Sequence, residues 1–312
     1  MLVKLLSRNS NILKIGISIL FLALFFLRQP MENIGWERVI GVFFFLLSIV
    51  VSLLFFNRSN LINESGFFLG YLLVWQLIFS KISLDYNLSI TLFSSTLIFL
   101  IVLVSEKRPE NKRFLFNIGV LLSLSVFFYP PSLFLSGFLI FTYFYKLSIN
   151  FRGFLLFLIG FSLPLILGVQ ILYIIGEMDW LLSYKDAFYR NLWHTGTLWA
   201  LLPVGLLLVR VWYDHIKHLA KQDTNKRHNY FITFLYFLNW ILILLFFGGE
   251  QIELLAFLGL SIAIFLSRFT QYMNSYNRKE LFVWIYILIM SGFFFRKEIY
   301  TIYESLLGNV TL

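Results

Sequence analysis

Read for apolar and polar positions alone, the chain is a series of apolar runs separated by short polar turns. Eleven runs stand out, at residues 12–27, 39–56, 66–82, 88–104, 114–128, 132–146, 153–175, 196–213, 230–247, 251–267 and 281–295. None shows the period-two alternation of a barrel strand. In lipid, backbone groups must be satisfied within the segment or in a closed barrel, so the pattern predicts helices. Most runs are 15 to 19 residues, against the ~20 of a bilayer-crossing helix. Several are therefore expected to be short or partly buried in protein.

The stretch from Phe114 to Ile175 sets the theme. It is almost wholly apolar and is broken once, at Tyr129-Pro130-Pro131-Ser132, before a basic turn with Lys146 and Arg152. Two readings compete here, a single kinked helix or a hairpin. Pro131 suits the first turn of a second helix, where its missing N–H would be unpaired anyway.

Composition fixes the solvent. Only 13% of residues are charged and 59% are hydrophobic, whereas a soluble domain carries about 25% charged residues. The chain is read as one integral membrane domain, residues 1–312, an all-α bundle of about eleven helices (10–12). The N-terminus resembles a signal peptide, with Lys4 and Arg8 before an apolar run. Arg28-Gln29-Pro30 follows that run in place of a small-residue cleavage site, so an uncleaved first span is expected.

Charge then orients the bundle. With the N-terminus inside and every run crossing, 18 of the 25 Lys and Arg fall inside and 7 outside. Fusing the two runs around Pro130-Pro131 makes the split 12 to 13 and abolishes the bias. The positive-inside rule therefore favours the hairpin, either crossing fully or dipping in from the inside, and puts the C-terminus outside. The same bias accounts for the net charge of +9 without a nucleic-acid partner. The turn 106–113 and the longer segment 214–229 are expected inside, against anionic headgroups or simply as topology anchors. No Cys is present, which excludes disulfides and thiolate chemistry.

On this topology ten of the sixteen acids lie outside. The first outer loop, residues 28–38, joins Arg28 and Arg38 with Glu32 and Glu37. A carboxylate there could deprotonate an acceptor hydroxyl while arginines clamp a phosphate leaving group; a self-compensated solvated turn is the plain alternative. Residues 176–196 form the largest outer segment. Trp180, Tyr184, Phe188 and Leu192 recur every four residues, which predicts a short amphipathic interfacial helix near 179–193 carrying Arg190, with His194 just after it. Glu253 follows Gly248-Gly249-Glu250 into an apolar run. It is either an intramembrane functional acid or a first-turn Glu favoured by the helix dipole.

Other polar residues point to less. Gln76, Gln170 and Asn239 lie within runs, where interhelical hydrogen bonds would account for them. His215, His218 and His228 share one segment, and this is too few convergent ligands for a metal centre. No nucleotide, hydrolase or zinc-protease motif is present, and no cofactor is expected.

Two features carry a resemblance. One is the opening Met1-Leu2-Val3-Lys4-Leu5-Leu6-Ser7-Arg8-Asn9-Ser10. The other is Tyr129-Pro130-Pro131-Ser132, then Asn150-Phe151-Arg152-Gly153 and Gly160-Phe161-Ser162-Leu163-Pro164. Together they resemble an uncharacterised family of polytopic bacterial inner-membrane proteins, which implies a bacterial cytoplasmic-membrane location and no known catalytic residues. More distantly, the chain is similar to membrane glycosyltransferases that use polyprenyl-phosphate sugars. By position, that likeness implies Glu32 or Glu37 as a catalytic acid in the first outer loop.

Three functional expectations follow. The first is a non-catalytic subunit or scaffold of an envelope-assembly complex, with other membrane subunits as partners. The second is a glycosyltransferase-like enzyme using a lipid-linked sugar at the outer face. There Glu37 or Glu32 would be the base, Arg28, Arg38, Arg190 and His194 the substrate contacts, and the 180–194 helix a lid. The third is a transporter or lipid flippase with Glu253 in its path.

Overall fold

A computed structural model of the chain describes residues 2–7, 11–28, 35–56, 65–104, 112–146, 151–181, 202–218, 224–249 and 251–295. Twelve α-helices are found among them: α1 (Leu2–Ser7), α2 (Asn11–Arg28), α3 (Trp36–Phe56), α4 (Ser65–Ile78), α5 (Tyr86–Val104), α6 (Lys112–Phe128), α7 (Leu135–Lys146), α8 (Phe151–Ile175), α9 (Leu202–His218), α10 (Thr224–Phe247), α11 (Gly259–Tyr272) and α12 (Tyr276–Phe294). Three 3₁₀ segments, Ser80–Leu84, Pro130–Phe134 and Ile252–Leu258, complete them. Five helical stretches are long and apolar enough to cross a membrane: Trp36–Leu54, Tyr86–Val104, Phe151–Ile175, Lys226–Phe247 and Ile252–Tyr272.

Contacts between remote helices give each one its direction. Arg28, ending α2, reaches the Leu77 and Ile78 carbonyls at the end of α4. Gly66, starting α4, abuts Leu6 of α1. Gly41, near the start of α3, lies on Ser83 and Tyr86, where α5 begins. Arg268, late in α11, meets His215 near the end of α9 and Tyr230 in α10. The chain thus passes back and forth between two ends of a bundle, here called the α1 end and the Arg28 end.

The Tyr-Pro-Pro-Ser signal is a true reversal. Tyr129 is extended (φ −141°, ψ 92°), as a residue before proline is driven to be. Pro130 and Pro131 then open a 3₁₀ turn that continues into α7. Leu115, Gly119 and Phe127 of α6 meet Gly153, Gly160 and Gly168 of α8 in that order, so α6 and α8 are parallel. Residues 130–146 cover about 28 Å at the usual rises of the two helix types. The hairpin therefore returns the full length of the bundle and does not merely dip into it.

Each of the eleven apolar runs holds a helix, but some edges moved. The segment 214–229, read as a long turn, is largely helical: α9 continues to His218 and α10 starts at Thr224. The run read as 196–213 is described as a helix from Leu202 onward. Arg268, read as lying just past a span, sits inside α11 and is buried. Of the amphipathic segment near 179–193, residues 179–181 are helical, and Trp180 packs on Phe127, ring centroids 4.7 Å apart. The rest of that segment lies outside the described residues.

Burial sorts the helices into centre and edge. The Ile252–Tyr272 stretch is 89% buried and α5 72%, while α8 is only 6% buried. The centre is aromatic: Trp240 stacks on Phe257 (3.9 Å), Phe99 on Tyr236 (4.5 Å), and Tyr71 meets Tyr286 edge-on (4.9 Å). Such ring pairs add roughly 0.5–1.5 kcal/mol each beyond area burial.

Candidate functional site

The Arg28 end is where the helices are least regular. All three 3₁₀ segments lie there, and each is a place where the α-helical hydrogen-bond ladder is interrupted. Side chains supply the missing partners. Where α4 gives way at Phe79, Arg28 Nη1 donates to Leu77 O (2.8 Å) and Ile78 O (3.0 Å). Trp75 Nε1 donates to Leu255 O (2.9 Å) and Gln76 Nε2 to Ala256 O (3.2 Å), within the 3₁₀ segment that precedes α11. Asn239 Nδ2 donates to Phe134 O (2.9 Å) in the third. Asp85 Oδ1 accepts from the N–H groups of Asn87 (2.9 Å) and Leu88 (3.3 Å), capping α5.

The expected site residues distribute unevenly. Arg28 is half-buried, lies 4.5 Å over the Phe294 ring and serves the α4 break. Arg38 is half-buried in the first turn of α3. Glu37 sits in that turn exposed, as are Trp36 and Val39. Glu253 is half-buried in the first turn of its 3₁₀ segment, after a turn in which Gly249 takes φ +53°, a conformation that favours glycine. Glu32, Arg190 and His194 lie outside the described residues. Arg28, Arg38, Glu37 and Glu253 thus share one end of the bundle, but no hydrogen bond or ion pair is described among them.

Of the three polar residues within apolar runs, Gln76 and Asn239 make the interhelical bonds expected of them. Gln170 does not: it is exposed on α8 and has no hydrogen-bond partner among the described residues.

Two features escaped the sequence reading. The first is a seam of buried hydroxyls between the Ser80–Leu84 3₁₀ segment, α5 and α6. Ser89 Oγ donates to Ile82 O (3.0 Å), and Thr91 Oγ1 to Asn87 O (2.9 Å), with a longer approach to Ser125 O (3.5 Å). The hydroxyls of Ser123, Ser125 and Ser132 are buried without a described protein partner. The signal was in the sequence: α5 carries Ser89, Thr91, Ser94, Ser95 and Thr96 in one apolar run. The second lies at the α1 end. Arg268 is 6% exposed, stands 3.8 Å over Tyr230 and 5.7 Å from Tyr272, and its Nη1 meets His215 Nδ1. His218 turns instead to Asp214, whose carbonyl lies 3.0 Å and carboxylate 3.4 Å away.

A family model described as a family of unknown function (DUF6427) matches residues 1–303. The chain belongs to that family. No curated protein and no solved structure matches it. DUF6427 membership supports the expected link to a family without assigned activity, and it carries no glycosyltransferase likeness. For this DUF6427 chain, function has to be argued from the side chains.

Proposed function

We propose that this DUF6427 protein is a non-catalytic subunit, a membrane scaffold for an envelope-assembly complex, in the bacterial cytoplasmic membrane with its N-terminus inside. One observation carries the reading. α8 is held to the bundle by its own glycine stripe, Gly153, Gly160 and Gly168, packed against α6, and it turns nearly all of its remaining perimeter outward. On that outward side Gln170 continues the face made by Leu163, Ile166 and Ile174. An amide facing lipid is costly without a partner, and a second helix can supply one. The scaffold reading also draws support from the Arg28 end, where Arg28 and Asp85 complete helix ends and Glu37 points outward.

The glycosyltransferase-like and transport readings have less beneath them. The first needs Arg28 released from the α4 carbonyls and Glu37 turned inward. The second needs a polar path reaching Glu253.

The test is site-directed photocrosslinking in living cells. A probe in place of Ile166 is expected to give one discrete protein adduct, and the same partner should co-purify at constant stoichiometry in mild detergent. Gln170→Leu should reduce that co-purification, whereas a probe in place of Leu288 on α12 should not report the same partner. Lipid adducts alone at Ile166, with a monomer on purification, would remove the scaffold reading.

A further inference from the structure

At the α1 end, Arg268 sits inside a stretch of helix that is 89% buried, and is itself 6% exposed. A buried charge needs partners. Its described ones are two aromatic rings, Tyr230 at 3.8 Å and Tyr272 at 5.7 Å, and the His215 imidazole. The last of these contacts fixes a protonation state. A guanidinium has five donors and no acceptor. The imidazole nitrogen it meets, Nδ1, must therefore offer a lone pair. His215 is then neutral, with its one proton on Nε2.

The groups around this imidazole do little for its protonated form. α11 brings Arg268 and Tyr272. α10 brings Tyr230, whose ring centroid lies 5.5 Å from that of the imidazole, with Arg227 and His228 one turn earlier. α12 brings exposed Arg278 and then Lys279, which donates to Gln271 O at 3.2 Å; its acid, Glu280, accepts from the Val3 N–H. On α9 itself, Lys217 is exposed and the Asp214 carboxylate stands 3.4 Å from His218. Asp214 is also the acid whose charge reaches Arg268. The C-terminus of α9 favours a cation, but through a dipole worth about half a charge. The guanidinium opposes one with a whole charge, at contact and away from water.

We propose that His215 and Arg268 form a proton-sensitive latch, in which the neutral imidazole ties the end of α9 to α11 and protonation of that ring releases the last turn of α9. Arg268 is the fixed side, buried in α11 and held over Tyr230. His215 is the side that yields: it is half-buried and in the last turn of α9. Trp212, one turn earlier, packs on Phe234, Phe237 and Phe265, so the release stops there. The released state holds one proton more than the latched one, so acid favours it, over the range in which a free imidazole titrates, about pH 6.5 and below. His218 acts in the opposite sense. Its protonation strengthens the pair with Asp214 and steadies the same turn.

The experiment uses the full chain, which has no cysteine of its own. Lys217→Cys carries a nitroxide at an exposed position in the last turn of α9. The electron paramagnetic resonance spectrum of the labelled protein in mild detergent separates into immobile and mobile components. From pH 8 to pH 5 the mobile-to-immobile ratio should rise at least about tenfold, along a one-proton curve. His215→Asn, which keeps an acceptor and takes no charge, should hold the ratio at its pH 8 value throughout. His215→Lys should give a high ratio at every pH. His218→Gln should keep the rise. Arg268→Gln removes the like charge and should reduce the rise to below about threefold.

A ratio that stays flat in the labelled protein would overturn the proposal. So would a rise that survives His215→Asn, stays at full size in Arg268→Gln or disappears in His218→Gln. The histidine variants decide the matter even where Arg268→Gln fails to fold. Because every readout is taken on this chain without a second protein, failure here leaves the scaffold reading standing.

Discussion

Asp85 closes the first turn of α5 by accepting from two backbone N–H groups, a job that no other side chain is seen to share. Asp85→Ala should cost about 1 kcal/mol, the usual value of an N-cap, while Asp85→Asn should keep most of it. Thermal unfolding of the two variants in one detergent checks this, and equal midpoints would show that the cap contributes nothing. The Tyr71–Tyr286 pair tests a buried polar link instead. Tyr286→Phe removes its bond to Tyr71 O and should cost roughly 0.6 kcal/mol, the average for interhelical bonds in membrane proteins. A loss of several kcal/mol would mean that the hydroxyl organises more than its own bond.

At the scale of elements, α6 and α8 pack backbone against backbone. A Cβ on Gly119 would fall 2.4 Å from Phe157 O, and one on Gly160 would fall 2.3 Å from Phe116 O. Backbone meets backbone there, so neither side can yield by turning a rotamer. Gly160→Leu should push the helices apart, with a penalty at or above the ~1–3 kcal/mol of ordinary overpacking. The cysteine-free chain makes the geometry easy to read. Leu115→Cys with Gly153→Cys should form a disulfide on mild oxidation, because a Gly153 Cβ would sit 2.6 Å from Leu115 Cδ1. Adding Gly160→Leu should suppress that crosslink. An unchanged crosslink yield would argue against the glycine stripe as the hold between the helices.

For the whole molecule, the alternation between two ends makes a prediction about sides. Single cysteines replacing Lys217 and Ser275 at the α1 end should react with a membrane-impermeant thiol reagent only after the cells are opened. One replacing Glu37 at the Arg28 end should react in intact cells. The reverse pattern would invert the proposed orientation. Trp240→Ala, which empties the aromatic centre, should destabilise every helix that meets there by about 3–5 kcal/mol. Its loss of stability should exceed that of Leu288→Ala on the exposed face of α12.

By itself the sequence determined where helices form and where the chain turns back. Those follow from local rules: an apolar run must satisfy its own backbone in lipid, and Tyr129-Pro130-Pro131-Ser132 cannot continue a helix. It also brought Arg28, Glu37, Arg38 and Glu253 to one end, because successive helices alternate in direction. The tertiary structure alone decided that α5 and α11 are central and α8 peripheral, that Arg28 serves α4, and that Arg268 is buried beside Tyr230. Lipid tails and protein interiors are equally apolar, so hydrophobicity cannot tell a lipid-facing Leu from a buried one. The glycine stripe and the hydroxyl seam are properties of which helices become neighbours, and that choice is made by packing between residues far apart in the chain.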